Sequence, residues 1–165
     1  MSLPAWFLEQ TKQREGFKDK AYWDYGQYSI GYGSKAKSPN ETIDLAEANR
    51  RLLGEMAEAR RQVDGMVPPD APEGARLALT SLTHNAGPKW MKSGLGDYVR
   101  EGNWPAAAAR LQMYTKAGGV ERKGLVTRRA AEAELMLQGV PPRPPESIPS
   151  PQQTAMLPST LTPLR

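Results

Sequence analysis

Residues 14–33 read REGFKDKAYWDYGQYSIGYG and join two local patterns, one helical and one extended. The preceding run, residues 5–14, has the spacing of an amphipathic helix whose apolar side carries Trp6, Phe7 and Leu8. Residues 19–33 are rich in aromatic and β-favouring types and are interrupted by glycines, which predicts a hairpin or a short sheet. A helix followed directly by a small sheet is therefore expected at the N-terminus.

The chain that follows is patterned mainly for helices. A long apolar-periodic run over residues 45–63 begins behind a capping box formed by Asp44 and Glu47, and it predicts a helix that connects two lobes. Further helical patterns cover residues 73–85, 95–101, 105–114 and 124–138. The sequence thus predicts an α+β fold, mostly helical, with a small N-terminal β-sheet lobe, a long connecting helix and a helical C-terminal lobe.

The composition changes at about residue 140. Residues 141–165 contain eight prolines and no aromatic residue. Such a segment lacks the backbone donors and the apolar area that offset the entropy of ordering. We therefore expect one folded domain over residues 1–140 and a Pro-rich disordered tail or linker over residues 141–165.

Charge and rare residues narrow the function classes. The chain has no cysteine and a single histidine, His84, which argues against disulfides and a zinc site. A net charge of +4 favours anionic partners such as nucleic acid, anionic lipid or the acidic bacterial cell wall. No run approaches the roughly 18 apolar residues of a membrane span, and no signal peptide or signal anchor is visible. We expect no membrane insertion, so another component is expected to deliver the protein to a substrate outside a membrane.

Two carboxylates have the spacing of a catalytic pair. Glu15 closes the predicted first helix, Asp24 follows nine residues later, and Ser29 supplies a hydroxyl shortly afterwards. A glycosidase needs one carboxyl that protonates the leaving oxygen of the sugar bond and a second that stabilises charge or activates water. Ordinary interpretations stay open at this point: Glu15 as a surface residue or the partner of a core arginine such as Arg128 or Arg129, and Asp24 as a turn cap.

Three blocks of the sequence share their order and spacing with one known family. The first, residues 14–34, has a glutamate, eight residues, an aspartate, and then a hydroxyl residue before I-G-x-G. The second is ALTSLTHNAG at residues 78–87, and the third covers residues 117–132 and ends in GLVTRRAAE. Together the blocks resemble the phage-type lysozymes, the endolysins grouped as glycoside hydrolase family 24, over essentially residues 5–138.

The resemblance implies a cleft between two lobes and a muramidase that cleaves the β-1,4 bond between N-acetylmuramic acid and N-acetylglucosamine in peptidoglycan. By position it implies that Glu15 is the general acid, Asp24 its carboxylate partner, and Ser29 the counterpart of the family's threonine. The candidate substrate-binding residues are Gly31, Tyr32, His84 and Asn85. The family mostly inverts configuration, which implies carboxyl groups about 6.5–9.5 Å apart with a water between Asp24 and the sugar. It implies neither a metal nor an organic cofactor.

The sequence departs from the family pattern next to the predicted water site. The loop from Asp24 to the hydroxyl is one residue shorter than usual, and serine keeps the hydroxyl but loses the methyl group that fixes the rotamer of threonine. A looser water site favours attack by the muramic 6-hydroxyl, which gives an anhydro product as in lytic transglycosylases. A catalytically weak wall-binding or virion structural module is a further alternative.

The expected partners follow from the same resemblance. Glycan strands of peptidoglycan are the expected substrate of a monomer that stays in the host cytoplasm before lysis and then acts on the wall in the periplasm. Delivery then requires a holin-type pore, or incorporation into a virion through the tail. A nucleic-acid partner is disfavoured because acids alternate with the basic residues of the long helix and no nucleic-acid motif is present.

Overall fold

The computed structural model describes residues 3–140, which form six α-helices, one 3₁₀ helix at Pro88–Lys92 and two small antiparallel sheets. The helices are α1 (Ala5–Glu15), α2 (Leu45–Asp64), α3 (Glu73–Ala86), α4 (Gly94–Arg100), α5 (Trp104–Leu111) and α6 (Lys123–Leu137). The strands are β1 (Lys18–Asp24), β2 (Gln27–Gly31), β3 (Ser34–Lys35), β4 (Lys116–Ala117) and β5 (Val120–Glu121). This arrangement confirms the predicted α+β fold. The predicted tail, residues 141–165, lies outside the described residues.

The N-terminal sheet has the order β1-β2-β3 with antiparallel neighbours. Asp24 pairs with Gln27 across a two-residue turn, and Tyr22 pairs with Ser29 two positions further from the turn. Because side chains alternate between the faces of a strand, Tyr22, Asp24 and Ser29 share one face of the hairpin. The predicted hairpin is confirmed, and the register brings two of the three predicted catalytic residues to the same face.

Two apolar clusters define two lobes, and α2 belongs to both. Ile30 of the sheet packs in one cluster with Leu52 and Met56 of α2, all three fully buried. Val63, near the other end of α2, packs in the second cluster around the buried indole of Trp90. The helix therefore connects the lobes, as the sequence predicts. Within the described residues, no helix is long and apolar enough to cross a lipid bilayer.

The capping box at the start of α2 is only half formed. The Asp44 carboxylate accepts a hydrogen bond from the Glu47 amide at 2.8 Å, which satisfies one free N–H of the first turn. The Glu47 side chain does not return to Asp44; it accepts from Arg50 Nε at 2.7 Å and from Arg51 Nε at 2.9 Å. These two guanidinium groups lower the pKa of Glu47 to about 2.

Candidate active site

A groove runs between the sheet lobe and the helical lobe. It has two adjoining parts of about 780 Å³ and about 1130 Å³. The smaller part is bordered by the sheet, α2 and the end of α3, and the larger by the β1–β2 turn, the β4–β5 hairpin and α6. Asp24, Gln27 and Asn85 line both parts. These three residues mark the middle of the groove.

Glu15 reaches the groove from the last residue of α1. The helix ends there because Gly16 adopts φ +70°, and the Gly16 amide donates to the Lys12 carbonyl. Arg128 Nη1 donates to Glu15 Oε2 at 2.7 Å, and the two side chains are 8% and 22% exposed, respectively. Glu15 lines the smaller part of the groove, and Arg128 lines the larger part. The glutamate is thus both the partner of an arginine and a groove residue. Its catalytic role stays a prediction.

Asp24 ends β1 beside the turn, and a tyrosine lies two residues before it on the same face of the strand. Partial burial raises the pKa of Tyr22, and the negative charges of Asp24 and Glu15 raise it further. Both carboxylates are therefore within electrostatic reach of one phenol. Our sequence reasoning did not single out Tyr22; the signal was its position at i−2 from Asp24 in a predicted strand.

Ser29 lies in the wall of the groove with only 1% of its surface exposed. Gln27 Nε2 donates to Ser29 Oγ at 3.4 Å. This contact occupies an acceptor position of the hydroxyl and leaves its proton free to donate elsewhere. Of its strand neighbours, Ile30 is fully buried, whereas Tyr28 is 38% exposed.

His84 and Asn85 lie in the last turn of α3 and border the groove opposite the sheet. His84 Nε2 lies 3.2 Å from Glu55 Oε1 on α2. Asn85 Oδ1 accepts a hydrogen bond from Arg129 Nη2 at 2.8 Å. The side chain of His84 therefore contacts the connecting helix α2, and that of Asn85 contacts α6.

A buried carboxylate anchors the arginines of α6. Glu132, 2% exposed, lies 2.9 Å from Arg129 Nε and accepts a hydrogen bond from the Ser81 hydroxyl of α3. Arg128 Nε lies 3.7 Å from the same carboxylate. Burial raises the pKa of Glu132, while the neighbouring guanidinium groups act in the opposite direction. Glu132 therefore orders the two arginines that reach Glu15 and Asn85.

The Gly31-Tyr32-Gly33 motif lies partly against α2 and partly along the groove. A Cβ added at Gly31 would lie 3.1 Å from Ala48 Cβ, so this glycine permits close packing of the sheet on α2. Gly31 does not border the groove, whereas Tyr32 and Gly33 do. A Cβ added at Gly33 would lie 3.1 Å from Glu15 Oε1. Gly33 therefore leaves room for the glutamate, and the substrate role of Gly31 stays a prediction.

Replacing Gly33 with alanine is expected to lower the peptidoglycan hydrolysis that the family resemblance implies, by about tenfold or more. The added methyl crowds the Glu15 carboxylate, and small displacements of a reacting group are costly. The backbone at Gly33 also has φ +92°, which strains any side chain. Gly26→Ala is the matched control because it has the same kind of strain, φ +103°, with no atom within 4 Å of the added Cβ. Rates measured on purified sacculi should fall clearly further for Gly33→Ala, and equal losses would contradict the crowding of Glu15.

Comparisons with known proteins agree on one family. The family model described as phage lysozyme matches residues 12–132. A SAR-endolysin of Bacteriophage PS119 is 33% identical over 129 residues, covering 76% of this chain and 77% of the relative. An endolysin of Bacillus phage B103 is 33% identical over 145 residues, covering 84% of this chain and 55% of the relative. The solved endolysin of Escherichia coli O157:H7 phage FAHEc1 has a TM-score of 0.71 and 27% identity, covering 87% of this chain and 98% of that one.

The fold, the groove and the family match together define a glycoside hydrolase of the lysozyme class. The chain belongs to the phage lysozyme family. It is a muramidase that hydrolyses peptidoglycan in phage lysis of the bacterial cell wall.

Proposed function

We propose that Glu15 is the general acid and Asp24 the second carboxylate in cleavage of the β-1,4 bond from N-acetylmuramic acid to N-acetylglucosamine. The observation that carries this assignment is the position of the Glu15 carboxylate, which lines the groove between the lobes and accepts a hydrogen bond from Arg128. Asp24 lines both parts of the same groove from the end of β1. A glycan lying along the groove would pass both carboxylates.

The residues around Glu15 support a proton-transfer role for it. After Glu15 gives its proton to the leaving oxygen, the carboxylate that remains is stabilised by the Arg128 guanidinium at 2.7 Å. Glu132 forms ion pairs with Arg128 and Arg129. The Arg128 guanidinium is therefore held in position for Glu15 before substrate binds. Tyr22 shares the hairpin face of Asp24, and burial together with the charges of Asp24 and Glu15 raises the pKa of its phenol, so it stays neutral beside the site.

We propose an inverting reaction in which Asp24 and Ser29 hold the attacking water. Ser29 shares the hairpin face of Asp24, and its proton is free because Gln27 donates to its oxygen. A hydroxyl that accepts one hydrogen bond and donates another suits the positioning of a water. The carboxyl separation of about 6.5–9.5 Å stays a prediction of this mechanism.

Substitutions at Ser29 test the water site. Ser29→Ala is expected to lower the rate about tenfold, the effect of losing one positioned hydrogen bond in the reacting complex. Ser29→Thr keeps the hydroxyl and is expected to retain or raise the rate. Initial rates on purified sacculi give the comparison, and circular dichroism shows that each variant is folded. Equal activity of Ser29→Ala and the wild type, or a complete loss in Ser29→Thr, would contradict the role.

We also propose that the protein is a monomer that accumulates in the host cytoplasm and reaches the wall through a holin-type pore. The endolysin relatives support a lysis role for this chain. Residues 141–165, outside the described part, would then act as a spacer, and virion incorporation is the alternative that they suggest. Fractionation of infected cells before lysis distinguishes these routes, since the first predicts protein in the cytosolic fraction and the second predicts protein in purified particles.

A further inference from the structure

The two lobes contact each other at the β1–β2 turn. The guanidinium carbon of Arg122 lies 5.2 Å from the ring centroid of Tyr25, within the range of a cation–π interaction. Tyr25 belongs to the sheet lobe, and Arg122 precedes α6 in the helical lobe, where its Nε donates to the Ala117 carbonyl at 3.3 Å. Both residues line the larger part of the groove. Opposite walls of the groove therefore touch through these two side chains.

The turn itself does not account for a tyrosine at this position. Tyr25 and Gly26 are its central residues, with φ +46° and +103°, and Tyr25 alone among the described non-glycine residues has a positive φ. Two-residue hairpin turns with positive φ at both positions favour Asn, Asp or Gly first, because a left-handed backbone strains larger side chains. Burial of the side chain does not offset this backbone strain, since Tyr25 is 66% exposed. The contact with the opposite wall offers a reason for the residue.

The opposite wall presents a glycine turn to the ring of Tyr25. Gly118 and Gly119 form the turn of the β4–β5 hairpin, and both have a positive φ. A Cβ added at Gly118 would lie 3.7 Å from Tyr25 Cδ1. The tyrosine ring thus rests between a side-chain-free turn and the Arg122 guanidinium, and three separate features converge on one contact.

We propose that Tyr25 and Arg122 form a clasp that closes the groove and must open to admit an internal segment of a long glycan strand. The inference rests on the proposed function, in which the groove binds glycan. A short fragment enters a clasped groove from its end, whereas the interior of a long strand enters only from the side. The clasp therefore makes the enzyme select between strand ends and strand interiors.

Kinetics on two substrates test this selectivity. Tyr25→Asn and Arg122→Ala are each expected to raise the ratio of the rate on intact sacculi to the rate on short soluble glycan fragments about two- to fivefold, the factor that an exposed cation–π contact supplies. An unchanged ratio in both variants, or a ratio that falls, would overturn the clasp; a fall would make Tyr25 a sugar-stacking residue instead.

The chain supplies a matched control for the loss of such a contact. Arg110 lies over the ring of Tyr98 at 5.5 Å, and neither residue borders the groove. Arg110→Ala removes an arginine–tyrosine contact of the same kind and is expected to leave the ratio unchanged. A rise equal to that of Arg122→Ala would show a general loosening of the fold and would count against the clasp.

A distance measurement separates the clasp from the proposed function. The chain has no cysteine, so exposed Lys20 of the sheet lobe and Lys123 of α6 can each be replaced with cysteine and spin-labelled. Arg122→Ala in this background is expected to lengthen or broaden the distance distribution, and an unchanged distribution would overturn the clasp. This measurement needs no substrate. If the wild type releases nothing from sacculi, while Arg122→Ala lengthens the spin-label distance, the proposed function is contradicted and the clasp is not.

Discussion

Replacing Glu15 with glutamine is expected to lower peptidoglycan hydrolysis by about 10²- to 10⁴-fold, the usual contribution of a general acid. The amide has no proton of suitable acidity for the leaving oxygen, although it has nearly the same shape as the carboxyl group. The loss of turbidity of sacculus suspensions measures the effect. Glu9→Gln is the matched control, since Glu9 lies on the same helix with a side chain that is 63% exposed, and it should retain full activity.

The stability of the Glu15→Gln variant tests the Arg128 contact. A carboxylate at the end of a helix faces the negative end of the helix dipole, so its removal alone predicts a slight gain in stability. The ion pair with the nearly buried Arg128 reverses this expectation. We expect the free energy of unfolding to fall by about 1–2 kcal/mol, because glutamine can still accept the hydrogen bond but carries no charge. Urea titration of both proteins measures the difference, and a gain in stability would contradict the pairing.

Replacing Glu132 with alanine is expected to cost about 3–5 kcal/mol of unfolding free energy. The substitution leaves the guanidinium of Arg129, 1% exposed, without its anionic partner, and it removes the acceptor of the Ser81 hydroxyl. The uncompensated buried charge of Arg129 lowers the unfolding free energy more than the loss of the glutamate's methylene groups does. Activity should fall as well, because Arg128 then loses its support behind Glu15.

Glu134→Ala is the control for this prediction. It lies on the same helix, is exposed, and should change the unfolding free energy by less than about 0.5 kcal/mol. Urea denaturation of the two variants beside the wild type gives the comparison. A cost for Glu132→Ala as small as that of Glu134→Ala would mean that the buried network does not stabilise the fold.

The local elements could be predicted well because their signals are local. The connecting helix is expected over residues 45–63 and occupies Leu45–Asp64, since a capping aspartate precedes it and prolines follow it. The last helix, expected over residues 124–138, occupies Lys123–Leu137 and ends before Gly139. The I-G-x-G hairpin was equally visible from its glycines and alternation.

Orientation within an element was harder to predict. Trp6, Phe7 and Leu8 were all expected to face inward, but successive helix positions differ by about 100° in direction. Only Phe7 is fully buried, whereas Trp6 is 51% exposed. The β4–β5 hairpin was missed because strands of two residues carry no alternation; the Gly118-Gly119 pair was its one available signal.

The electrostatics of the site depend on contacts between distant parts of the chain. Glu15 and Arg128 are 113 residues apart, and the sequence offered Arg128 or Arg129 as equivalent partners. The structure distinguishes them: Arg128 binds Glu15, and Arg129 binds Asn85. Glu132, an acid in the third block, contacts both arginines, and no pattern in the sequence marks it for this position.

The catalytic role of Glu15 is tested by mass spectrometry of the soluble products that the protein releases from purified sacculi, beside the Glu15→Gln variant. Hydrolysis with Glu15 as the general acid predicts fragments with reducing N-acetylmuramic acid ends from the wild type and almost none from the variant. Anhydro-muramic ends would contradict the water-mediated mechanism and indicate a lytic transglycosylase. Equal release by both proteins would contradict the role of Glu15.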